Sequence, residues 1–114
     1  MNVREDSKKY IQSLYNSLMQ HESKSASMLN ITDVLAQVYK KIDKAKNPEA
    51  LINRMVNYIY IEGFSRMHLS KNEENDLIEL GNISKRAGFN GVYRGNTTDK
   101  SQFYGIFEKM PIRQ

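Results

Sequence analysis

The residues Ile31, Val34, Leu35, Val38, Tyr39 and Ile42 recur at the i, i+3, i+4, i+7 spacing of one helix face, while Asp33, Gln37, Lys40, Lys41 and Lys44 fall on the other. A segment patterned this way is a helix that must bury one stripe against something else. Ile11, Leu14, Tyr15 and Leu18 repeat the pattern upstream, and the polar run "HESKSAS" separates the two stripes. Asn47 and Pro48 offer an N-cap and a first-turn proline, whose missing N–H has no intrahelical partner to lose. Ser70 and Glu73 have the spacing of a capping box. Glu73, Glu74 and Asp76 face the positive end of a fourth helix dipole, Lys85 and Arg86 lie near its negative end, and Gly88 fits a left-handed C-cap. These signals predict helices over 6–21, 26–45, 48–67 and 71–87.

Four helices on short connections predict an all-α fold, an antiparallel up-down-up-down four-helix bundle. With 114 residues the chain reads as a single domain, 1–114, divided into a helical bundle at 6–87 and a C-terminal tail at 88–114. The third helix is unusual. Leu51, Met55, Tyr58 and Ile59 share one face, yet Tyr60, Ile61 and Phe64 lie nearly opposite. A helix apolar on both sides needs cover on both sides. The tail is the expected second cover, packed over helices three and four, because it carries Phe89, Val92, Tyr93, Phe103, Tyr104, Ile106 and Phe107 with Gly88, Gly91, Gly95 and Gly105 to permit turns.

Composition excludes several kinds of chemistry. Without cysteine there is neither disulfide nor thiolate zinc site. The N-terminus lacks the features of a signal peptide and the longest apolar run, "YIYI", is far too short to span a bilayer, so the chain is expected to be cytoplasmic. A net charge of +4 is scattered without a basic stripe on one helix, which argues against nucleic acid. His21 and His68 read as surface histidines. Glu73, Glu74, Asp76 and Glu79 read as a solvated, dipole-facing set rather than a glycosidase pair. No enzyme activity, no metal and no cofactor is expected. Asn53 and Asn57, with Arg54 between them, form a polar stripe on an apolar helix. They are read as tail-anchoring residues that bond backbone near Gly88 and Gly91, a partner site on the same face being the alternative.

Two blocks, "LINRMVNYIY" at 51–60 and "AGFNGVYRGNTTDKSQF" at 87–103, together resemble the pediocin-like bacteriocin immunity proteins of the enterocin A type. The resemblance carries Leu51, Ile52, Asn53, Arg54, Val56, Asn57, Tyr58 and Tyr60, then Ala87, Gly88, Asn90, Gly91, Tyr93, Arg94 and the run Asp99 to Phe103. It implies a non-catalytic protein that protects a cell from a pore-forming peptide. Its implied partner is the membrane permease of the mannose phosphotransferase system in complex with bacteriocin, met from the cytosolic side, with weak contact to the inner membrane surface. It also implies that the C-terminal half selects the bacteriocin, which makes Tyr93, Arg94, Asp99, Lys100 and Phe103 the partner-binding candidates. Arg94 and Lys100 are expected to be exposed, since a cation in a glycine-rich loop can reach an acidic or phosphate partner. The segment "YGIFEKMPIRQ" continues past Phe103 and is expected to depart from shorter relatives. A helical partner-binding or toxin-neutralising protein of another system is the alternative.

Overall fold

Each helix starts on a side chain that satisfies its first free N–H groups. In α1 (Val3–Met19) Asn2 Oδ1 accepts from the backbone N–H of Arg4 (3.1 Å) and Glu5 (3.2 Å), so the helix begins three residues earlier than the apolar stripe alone predicts. In α2 (Ala26–Lys41) Ser25 Oγ accepts from Met28 N–H at 3.1 Å, and the chain leaves through a 3-10 turn at Ile42–Lys44. Asn47 Oδ1 accepts from Ala50 N–H at 3.1 Å and opens α3 (Pro48–Gly63). The expected capping box opens α4 (Lys71–Ser84): Glu73 N–H donates to Ser70 Oγ (3.2 Å) and Ser70 N–H to Glu73 Oε1 (2.8 Å). The structure is a computed structural model, which describes residues 2–63, 68–85 and 99–113. Phe64, Arg86 and the C-cap assigned to Gly88 lie outside the described residues.

Side-chain pairs between helices fix the directions. Lys8 near the start of α1 donates to Asp43 just beyond the end of α2, and Asn30 early in α2 donates to Glu62 late in α3. Between α1 and α4 the order reverses step by step, with Tyr10 to Glu79, Ser13 to Asp76 and Ser17 to Glu73. Neighbouring helices therefore run antiparallel, and α1 and α4 close the ring. This is the four-helix bundle that the periodicity predicts, and no strand occurs among the described residues.

Ile11, Leu14 and Leu18 of α1 meet Ile31, Val34, Leu35 and Val38 of α2, Ile52, Met55 and Tyr58 of α3, and Leu77 and Leu80 of α4 in one buried cluster. Tyr39 is the exception in its stripe: it is exposed at the edge of α2, with Lys8 Nζ 5.9 Å from its ring centre. In α3 the inner face is buried as expected, but Tyr60 and Ile61 remain exposed.

The described part of the tail does not lie over α3 and α4. Residues 99–113 run along α2, and they reach α3 through Phe103, which joins the core cluster and meets Tyr58. Polar side chains hold it there, beside the buried ring of Phe103. The outer side of α2 carries a stripe of hydrogen-bonding side chains that matches charges in the tail.

Candidate partner interface

Asn30, Asp33, Gln37 and Lys41 stand at i, i+3, i+7 and i+11 on α2, one polar line along the helix. All four bond to the tail. Lys100, in a 3-10 helix at Lys100–Phe103, donates from Nζ to Asn30 Oδ1 (2.8 Å), Asp33 Oδ2 (3.2 Å) and the Pro111 carbonyl (2.6 Å). Arg113 grips the same Asp33 with both prongs, Nε to Oδ2 at 3.0 Å and Nη2 to Oδ1 at 2.9 Å. Lys41 Nζ donates to the Phe103 carbonyl at 3.0 Å.

Glu108 forms the second fastening. Its carboxylate accepts from Lys41 Nζ, Gln37 Nε2 (2.6 Å) and the Gly105 N–H (2.6 Å), and Lys40 lies 3.1 Å away. The bond from Lys41, then that from Gly105 N–H and that from Gln37, hold this carboxyl well below the usual carboxylate range. Glu108 N–H donates in turn to the Gly105 carbonyl at 3.1 Å, which closes a four-residue turn, Gly105 to Glu108. A Cβ on Gly105 would stand 3.2 Å from Glu108 Oε1, so the missing side chain allows this close approach.

Of the partner-binding candidates, Tyr93 and Arg94 lie outside the described residues, as do Gly88 and Gly91. Asp99 is exposed and caps the 3-10 helix through the Ser101 N–H at 2.9 Å; the bonds from Ser101 lower its pKa. Lys100 departs from expectation, for it is only 9% exposed and its ammonium is fully engaged with α2 and Pro111. Phe103 is buried too, its ring edge-on to Tyr58 with centroids 5.7 Å apart. Burial raises the Tyr58 hydroxyl pKa well above its ordinary value. Asn57 Nδ2 donates to Asn53 Oδ1 at 3.2 Å, so these two bond each other, and their expected bonds to tail backbone at 88–98 lie outside the described residues.

A second polar cluster lies between α1 and α4. Glu73, expected to be solvated, is 1% exposed and accepts from Ser17 Oγ (2.5 Å) and Ser70 N–H, with His21 Nε2 at 2.9 Å. Burial alone would raise its pKa, but the bonds from Ser17, Ser70 and His21 outweigh that and leave it lowered. Ser17 and His21 both face the carboxylate rather than each other, so the cluster lacks the nucleophile-to-base bond of a hydrolase. No cluster of three metal-ligating side chains occurs among the described residues.

The family model described as the bacteriocin immunity protein family matches residues 5–85. The chain belongs to the bacteriocin immunity protein family. A probable leucocin-A immunity protein of Leuconostoc gelidum is 50% identical over 106 residues, which cover 92% of this chain and 93% of that one. A probable mesentericin immunity protein of Leuconostoc mesenteroides is 46% identical over the same coverage. No solved structure matches. The aligned 106 residues make up 93% of each of these relatives, so the two relatives and this immunity protein are of similar length. The matched family region is the helical bundle, and alignments holding 92% of the chain extend beyond it into the tail. Among the described residues, no helix of this immunity protein is long and apolar enough to cross a membrane.

Proposed function

We propose that this immunity protein protects its cell from a pore-forming, pediocin-like peptide by binding, from the cytosolic side, the mannose phosphotransferase permease when a bacteriocin occupies it. The action is binding without catalysis. The observation that carries this reading is 50% identity, through nearly the whole chain, to a relative named for immunity to leucocin-A. Peptides of that kind are the first to test. Tyr93, Arg94 and Asp99 are the proposed contacts in the C-terminal half. Lys100 and Phe103 contribute through position, because both fasten the described tail, which begins at Asp99.

Recovery of the permease on a tagged copy of this protein, from cells treated or not treated with peptide, tests the mechanism. The permease should be recovered from treated cells and not from untreated ones. Equal recovery in both, or recovery in neither, overturns it.

A further inference from the structure

The turn from Gly105 to Glu108 exposes two consecutive large apolar side chains, Ile106 at 95% and Phe107 at 100%. Single exposed apolar residues are ordinary on a protein surface. An adjacent pair at the tip of a turn whose base is held by Lys41, Gln37 and the Gly105 N–H is a fixed projection rather than a stray contact.

Its surroundings are cationic. Lys40 is largely exposed and lies 3.1 Å from Glu108, Lys41 bonds the same carboxylate, and Lys109 follows the tip in the chain and faces solvent. The nearby acids are occupied, Glu108 by Lys40 and Lys41 and Asp43 by Lys8 at 2.8 Å. We propose that this tip is a lipid-docking element, with Ile106 and Phe107 entering the interfacial layer of an anionic bilayer and the surrounding lysines meeting its headgroups. A protein partner fits less well, because a stable protein interface buries about 800 Å² on each side around a packed apolar centre. Two side chains with lysines at the base of their turn supply no such centre, yet aromatic and basic residues are the pair that bilayer interfaces favour. This contact stands independently of the permease reading, since it calls for lipid alone.

The chain has no tryptophan, so Phe107→Trp places a single reporter at the tip. Phosphatidylglycerol vesicles free of protein should shift its emission to the blue, phosphatidylcholine vesicles should do so far less, and raised salt should reverse the effect. In co-sedimentation, I106S/F107S should weaken binding of the full chain to phosphatidylglycerol vesicles by about tenfold or more, as the loss of two buried apolar side chains implies. Its melting should be unchanged, because both side chains lie in solvent. Unshifted emission, equal shifts with both lipids, or wild-type sedimentation of the double variant overturns the proposal. A shift seen only in membranes that contain the permease also overturns it, in favour of a protein contact at the same tip.

Discussion

Lys100 Nζ lies 3.2 Å from Asp33 Oδ2, and the same carboxylate is held by Arg113. One side chain of α2 thus ties down both ends of the described tail. The two cations are not equivalent, since Lys100 is nearly buried and Arg113 is more open. Asp33→Asn leaves a buried ammonium without its counter-charge and should cost about 3 kcal/mol. Lys100→Met keeps the aliphatic stem and leaves Asp33 its pair with Arg113, so it should cost less. Urea unfolding of both variants checks the order; equal midpoints for the wild type and Asp33→Asn would show that the tie contributes nothing.

Phe103 is the apolar part of the same attachment. Because its ring is buried against Tyr58 within the core shared by all four helices, Phe103→Ala should cost about 3 to 5 kcal/mol, comparable with Met55→Ala in the bundle centre. Thermal melting measures both. A loss below about 0.5 kcal/mol for Phe103→Ala would mean that the tail is an appendage and not part of the fold.

Glu73 sets an acid limit. Its pKa is lowered from 4.5, so the folded state binds this proton less readily than the unfolded state does. The stability from this group is therefore complete above about pH 4.5 and is lost as the pH falls through its lower folded value. Glu73→Gln should reduce stability at neutral pH and flatten its decline in acid. Parallel curves for the variant and wild type from pH 7 to pH 3 would contradict this.

The helices were legible in the sequence because each carries local signals: the stripes at Ile11 and Ile31, the Asn47-Pro48 start and the Ser70-Glu73 box. The places of Glu73, Lys100 and Glu108 were not, since each depends on partners between 56 and 71 residues away in the chain. Traces of them exist. Tyr10, Ser13 and Ser17 share one face of α1, and Glu79, Asp76 and Glu73 share one face of α4. Asn30, Asp33, Gln37 and Lys41 form a second line, on the face that amphipathicity assigns to solvent. Polar residues in register along a helix are as consistent with solvation as with a partner, and only the folded arrangement decides between them.

Glu108 fastens the tail without lying in the core. Glu108→Ala should leave the melting transition nearly in place, yet it should speed amide hydrogen exchange at residues 105–109, where the turn loses its closing bonds. Unchanged exchange there would assign the turn to other contacts.

Protection is the property that a challenge assay measures directly. A sensitive strain expressing the full chain is exposed to a panel of pediocin-like peptides, leucocin-A among them, beside the same strain carrying Asp33→Asn. The wild-type chain should give survival of at least one peptide, and the variant should give reduced survival at matched protein levels. Killing of the wild-type strain by every peptide on the panel would contradict the proposed function.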